Sequence, residues 1–260
     1  MPELIIGCPI YKRSWIFPYW ISCIENQDFD FAEIGFVFEI SPDDSETIDM
    51  LIKYRNSRPD IETFVIDIKT DIPHFDHEEG SRTWSISKYE NMVNLRNSLL
   101  STVREIKPKY FFSLDSDILL VNKDTIKFLI AHIESGADAV SPLMFMTPID
   151  ARYPSVMDWI KEPGGQACRK EQYPLGQYFK SDIIMAAKMM SKSVYENVDY
   201  CLHLQGEDLG WSGNAAKLGF NLYSASYIYA PHIMHKIMLD DFLINGDRRM
   251  NNYLISEQKV

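Results

Sequence analysis

The chain has 260 residues, 46% of them hydrophobic and 24% charged, a balance that supports a folded core and excludes a disordered chain. Its 26 Lys and Arg stand against 37 Asp and Glu, a formal net charge of −11 that argues against broad electrostatic binding to nucleic acid or anionic membrane. No stretch approaches the roughly 20 apolar residues of a membrane span, no basic-then-apolar leader opens the chain, and Cys8, Cys23, Cys168 and Cys201 form no Cys-x-x-Cys pair. The reading is a soluble cytoplasmic protein with reduced thiols.

In chain order, apolar runs alternate with amphipathic ones, the pattern of an α/β sheet with parallel strands. Leu4–Pro9 reads as a strand, Trp15–Asn26 as a helix, Ile34–Ile40 as a second strand, and Ser45–Asn56 as a helix opened by Ser45 as N-cap. Ile61–Ile68 gives a third strand. Thr70–Thr83 carries Pro73, Gly80 and several charges and reads as a solvated loop, its His74, Asp76 and His77 being poorly spaced for metal ligation.

Ser85–Ile106 reads as a long helix. At about 100° per residue, Ile86, Tyr89, Met92, Val93, Leu99, Leu100, Val103 and Ile106 fall within an arc of about 160°, and Arg96 falls near its centre. A guanidinium in a buried stripe requires an anion, either a bound ligand or an aspartate of the segment that follows.

That segment, Tyr110–Val121, runs strand-forming residues into Asp115-Ser116-Asp117. In an extended chain Asp115 and Asp117 would point the same way, about 7 Å apart, so that one cation could bridge them. Hard divalent ions prefer carboxylate oxygens and take remaining ligands from water and substrate phosphates, which points to a nucleotide.

In the second half, Glu162–Gln166 is glycine-bearing and reads as a lid or a surface turn, and Ser181–Ala187 as a small-residue strand. Two acids, Glu207 and Asp208, sit between Gly206 and Gly210 ahead of a helix over Trp211–Leu218, an arrangement that suits a carboxylate general base or an acidic helix start. Ser226–Ala230 reads as a strand leading to His232 and His235, either of which could ligate a metal.

The ordered series Gly7-Cys-Pro9-Ile-Tyr11, Leu95-Arg96-Asn97, Phe112-Ser-Leu-Asp115-Ser-Asp117-Ile118, Gly206-Glu207-Asp208 and His232-Ile-Met234 resembles the GT-A nucleotide-sugar glycosyltransferases. The likeness is to the broad family-2 type, with a local likeness to the fungal mannan α-mannosyltransferases, and it covers most of the chain. It implies one GT-A, Rossmann-like α/β domain over residues 1–260 with a mixed, mainly parallel sheet. Residues 1–121 would form the nucleotide-sugar half and 122–260 the acceptor and catalytic half.

The resemblance further implies a UDP- or GDP-sugar donor and Mn²⁺ or Mg²⁺ as cofactor. The acceptor could be a glycan, a protein, a small molecule or a modified nucleobase. Pro9 and Tyr11 would border the nucleotide, while Arg82 and Arg96 would face or brace the donor. Asp115 would contact the donor ribose or the metal, Asp117 would bind the metal, and His232 would add a ligand, with His235 as fallback. Asp208 would be the base of an inverting transfer, with Glu207 positioning the acceptor or supporting the loop; the mannosyltransferase likeness implies retention instead. A sugar nucleotidyltransferase is the rival enzyme class, although Pro9–Arg13 lacks the glycine-rich loop it would carry. A non-catalytic nucleotide-sugar-binding module is the third reading.

Overall fold

The computed structural model describes residues 1–69, 85–145, 154–170 and 173–246. The strands are β1 (Leu4–Ile10), β2 (Ile34–Ile40), β3 (Phe64–Ile68), β4 (Tyr110–Leu114), β5 (Ala139–Leu143), β6 (Met157–Trp159), β7 (Ala167–Arg169), β8 (Tyr178–Lys180), β9 (Ala187–Ser191) and β10 (Leu222–Tyr229). The helices are α1 (Phe17–Glu25), α2 (Ser45–Ser57), α3 (Ile86–Ile106), α4 (Thr125–Glu134), α5 (Lys192–Asn197), α6 (Glu207–Lys217) and α7 (Lys236–Asn245).

Eight strands form one sheet in the order β3-β2-β1-β4-β9-β5-β10-β8. Neighbours β3, β2, β1 and β4 are parallel, as are β5 and β10, whereas β9 runs antiparallel to both β4 and β5 and β8 antiparallel to β10. The sheet is therefore mixed and mainly parallel. β6 and β7 form a separate hairpin.

Both faces of the sheet are covered. One core joins Phe17, Trp20 and Ile24 of α1, Leu51 of α2 and Ile126 and Leu129 of α4 to Phe36, Phe38 and Phe112. The other joins Leu99, Leu100 and Val103 of α3, Val194 and Tyr195 of α5 and Trp211 of α6 to Ile5, Val37 and Phe111. Strands buried on both faces read as continuous apolar runs, which is why β1, β2 and β4 stand out in the sequence.

Several sequence expectations shift. The N-cap of α2 is Asp44, whose side chain accepts from the Thr47 N–H at 3.2 Å, because Ser45 is already helical. The strand expected at Ser181–Ala187 lies instead at Ala187–Ser191, placed there by pairing with β4 and β5, which a local pattern does not encode. α6 starts at Glu207, so both acids occupy its first turn. The Glu162–Gln166 segment is the turn between β6 and β7: the Ile160 N–H donates to the Gln166 carbonyl at 2.9 Å, and a His203 ring nitrogen lies 2.8 Å from the Gly165 carbonyl. Arg82, His74, Asp76 and His77 lie outside the described residues.

Gly210 lets α6 approach the segment that carries Cys201. A Cβ added there would stand 1.9 Å from the Cys201 carbonyl oxygen and 2.8 Å from its carbon, both of them backbone atoms that cannot swing aside. Gly210→Ala is expected to lower unfolding stability by about 3 kcal/mol or more, the upper end of overpacking effects. Urea unfolding checks this, and an unchanged midpoint would show that the two backbones separate freely.

Candidate active site

β4 ends at Leu114, and the chain turns at once, the Ile118 N–H donating to the Asp115 carbonyl at 3.1 Å. Asp115 and Asp117 thus sit on a tight turn at the carboxyl end of a parallel strand, not on an extended one, and the two carboxylates take different partners. The turn is pinned from both sides. Trp20 of α1 donates its indole N–H to the Asp115 carbonyl at 3.1 Å, and the Asp115 N–H donates to the Ala186 carbonyl at 3.1 Å.

Asp115 belongs to Arg96. This guanidinium, 1% exposed, donates through Nη2 to both Asp115 oxygens at 2.8 and 3.1 Å, through Nη1 to Ser113 Oγ at 3.2 Å and through Nε to Glu207 Oε1 at 3.1 Å. It also lies 5.5 Å from the centre of the Tyr200 ring. Of the two partners left open for Arg96 by its place in the helical stripe, the structure supplies the protein carboxylates.

Glu207 and Asp208 enter from α6, after Gly206 at φ +131°, a left-handed backbone that favours glycine. Asp208 is committed at both oxygens: Oδ2 accepts from the Ala186 N–H at 2.9 Å, and Oδ1 pairs with the ammonium of Lys188, a fully buried residue of β9. That ammonium also lies 5.2 Å from the Tyr200 ring centre and 5.3 Å from that of Trp211.

The cluster holds three carboxylates, Asp115, Glu207 and Asp208, around two cations, Arg96 and Lys188. One negative charge is in excess when all are ionised. Burial is the main cause that raises the proton affinity of Asp115 and Glu207; Arg96 pulls both the other way, and neighbouring carboxylates, Asp208 foremost, add to the rise. Burial pushes Asp208 the same way, but Lys188 and Arg96, with the hydrogen bonds from Lys188 and Ala186, hold it below the ordinary carboxylate value.

Asp117 meets a different pair. Arg13, from the loop between β1 and α1, donates Nη2 to Oδ2 at 3.1 Å, and His232 Nε2 lies 3.3 Å from Oδ1. The histidine is brought there by a bridge between Ile118 and His232, supported by the Ile233 N–H donating to the Asp117 carbonyl at 2.6 Å. His235 stands at the start of α7. Pro9 lies in β1, and Tyr11, just past its carboxyl end, donates its hydroxyl to Asp43 at 2.9 Å.

Among the described residues no three His, Cys, Asp or Glu side chains gather as a ligand set. Asp117 and His232 nevertheless fit two positions of a divalent ion. An octahedral ion with bonds of about 2.1 Å spaces neighbouring donors about 3 Å apart, close to the 3.3 Å between Oδ1 and Nε2. A carboxylate oxygen with an imidazole is a donor pair that a divalent ion could use, and its remaining ligands would have to come from outside this pair.

Sequence reasoning missed Lys188 and Arg13. Lys188 was legible only as a lone charge inside the apolar run Ile183–Met190, and Arg13 only as a basic residue following the first strand.

The fold is that of the GT-A glycosyltransferases. In a solved structure of the mannosyltransferase PcManGT of Pyrobaculum calidifontis, in complex with GDP-Man and Mn²⁺, the likeness spans 94% of this chain and 63% of that one, with a TM-score of 0.58 at 14% identity. At that identity it bears on the fold alone. More particularly, residues 1–153 match the model of the glycosyltransferase family 25 N-terminal domain, and the chain belongs to that family.

Relatives include a glycosyltransferase 25 family member of Drosophila pseudoobscura pseudoobscura, 24% identical over 132 residues, 50% of this chain and 21% of that protein. Procollagen galactosyltransferase 1-A of Xenopus laevis is 40% identical over 70 residues, 27% of this chain and 11% of that protein. The chain thus aligns with about a fifth or less of the length of these two relatives. Among the described residues no helix is long and apolar enough to cross a membrane.

Proposed function

We propose that this chain transfers a sugar from a UDP- or GDP-sugar to an acceptor hydroxyl, with a divalent cation, Mn²⁺ before Mg²⁺, at Asp117 and His232. The observation that carries the reading is the linkage of the Asp115–Asp117 turn to the Glu207–Asp208 helix start through Arg96, at the carboxyl ends of parallel strands, where open α/β sheets bind ligands. When bound, the cation neutralises charge developing on the diphosphate leaving group.

The chain's own residues do the rest. Arg96 braces Asp115, whose carboxylate lies beside the donor ribose. Pro9 and Tyr11 border the nucleotide, and Asp208 takes the acceptor proton in an inverting displacement while Glu207 supports the acceptor side. Lys188 holds Asp208 ionised, the state a base requires, and lowers its basicity. Arg82 is assigned to the donor on the strength of the family-2 likeness, and the likeness to fungal mannan α-mannosyltransferases supports a hexose. The acceptor is a glycan, a protein, a small molecule or a modified nucleobase. Four free cysteines support a reducing compartment such as the cytoplasm.

Thermal unfolding with UDP- and GDP-sugars, with and without Mn²⁺, tests the reading. At donor concentrations about 100 times Kd the stabilisation is about 2.7 kcal/mol, a rise of about 5 °C or more for a chain of this size. The rise is expected only with metal and one nucleotide, and is expected to vanish in Asp117→Ala. No rise with any donor would sink it.

A further inference from the structure

Arg13 and Arg96 both hold acids of the Asp115–Asp117 turn, yet they are built differently. Arg96 is almost fully buried and donates to three side chains, so it is fixed. The Arg13 side chain is 26% exposed, donates to Asp117 Oδ2 and lies over Trp15, its guanidinium carbon 5.6 Å from the ring centre. The arginine end of this pair reaches solvent, which weakens it, so a dication can displace it.

The backbone beneath Arg13 is anchored independently of that contact. The Lys12 N–H donates to Asp44 Oδ2, the Trp15 indole donates to the Lys12 carbonyl at 3.1 Å, and the Arg13 carbonyl accepts from the N–H groups of Ile16 and Phe17 at 3.1 and 3.0 Å. The guanidinium can therefore swing on its own side chain while the loop stays in place.

We propose that Arg13 is an exchangeable counter-ion. It competes with the divalent cation for Asp117 and, once displaced, turns its guanidinium to the diphosphate of the donor. The inference deepens the metal-dependent reading above and rests on it. The chemistry is direct. A guanidinium on Oδ2 repels an incoming dication and blocks one of the two carboxylate oxygens, while a planar fork of N–H donors matches phosphate oxygens well. The cation frees Arg13 for the diphosphate, and the diphosphate draws Arg13 away from the cation's ligand. Metal and nucleotide therefore bind with positive coupling, equal in both directions. Arg13 is a positioning and binding residue on this account.

The experiment measures Mn²⁺ alone by electron paramagnetic resonance of the free ion, and UDP and GDP by calorimetry at saturating Mn²⁺, on wild type, Arg13→Ala, Arg13→Lys and Asp117→Ala. Arg13→Ala is expected to bind Mn²⁺ alone about threefold or more tighter, and to bind the preferred diphosphate in the presence of Mn²⁺ about threefold or more weaker. The opposite signs are the signature, because a merely structural role would weaken both. Arg13→Lys should lie between wild type and Arg13→Ala in both measurements. Unchanged or weaker Mn²⁺ binding in Arg13→Ala, or tightening of both ligands, would overturn the proposal with the metal site intact. Mn²⁺ binding that survives in Asp117→Ala, or a wild type that takes up no Mn²⁺ with either nucleotide, would overturn the metal-dependent reading and the proposal with it.

Discussion

Arg96→Met is expected to lower the unfolding free energy by about 3–5 kcal/mol, the cost of leaving buried charges without their partner. A methionine fills much of the volume of the arginine stem, so packing alone does not account for a loss of that size. What remains is electrostatic: Asp115 and Glu207 lose their guanidinium, and Ser113 Oγ loses a donor. The pH dependence gives the cause a sign. Both carboxyls already have raised proton affinity in the folded protein, and removing Arg96 raises it further. A carboxyl whose folded pKa lies above its unfolded value of about 4 takes up a proton on folding, so stability is retained at low pH and lost as pH rises through the folded value. The deficit of Arg96→Met should therefore be larger at pH 8 than at pH 5. Urea unfolding at the two pH values measures it, and an equal deficit at both would assign the loss to packing. Arg96→Lys is expected to recover part of the stability, since it restores the charge but not the fork that reaches Asp115, Ser113 and Glu207 together.

How much of this was legible in advance depends on the range of the interaction. The helix that became α3 was readable because its apolar stripe is local, and Arg96 in that stripe announced a buried anion before any partner was known. The acids of the two clusters were likewise visible as residue types at the end of an apolar run and between glycines. Their pairing was not. Asp115 meets Arg96 across 19 residues and Arg96 meets Glu207 across 111, distances over which a sequence carries no periodic signal. β9 shows the same limit from the side of the sheet. Its insertion between β4 and β5 puts Lys188 in register with Ser113, beside the acids, yet the sequence there reads as an ordinary apolar strand and its position was misplaced by several residues. The turn at Asp115–Asp117 was missed for a related reason. The strand pattern continues through Ile118–Val121, and contacts with distant parts of the chain, among them those of Asp115 with Trp20 and Ala186 and of Ile118 with His232, stop the extended chain at Leu114.

The assignment of the base turns on two neighbours with opposite electrostatics. Asp208→Asn is expected to reduce turnover by about 10²–10⁴, the usual contribution of a general base, with donor binding little changed. Glu207→Gln keeps an oxygen acceptor for Arg96 and removes one of three carboxylates facing two buried cations, so it should lose less activity and unfold no more easily than wild type at neutral pH. The pH profile separates the two acids. Asp208 is held below the ordinary aspartate value, so a reaction that uses it as base keeps its activity down to and below about pH 4 for as long as the fold survives. Glu207 has raised proton affinity, and as base it would place the acid limb above about pH 4.3. Release of UDP or GDP from the donor, with water as acceptor, supplies the readout. An acid limb above pH 4.3 that disappears in Glu207→Gln would move the base to Glu207. Full donor affinity with no nucleotide release in wild type would instead favour the binding module, and the commitment of both Asp208 oxygens to Lys188 and Ala186 would then be its structural reason.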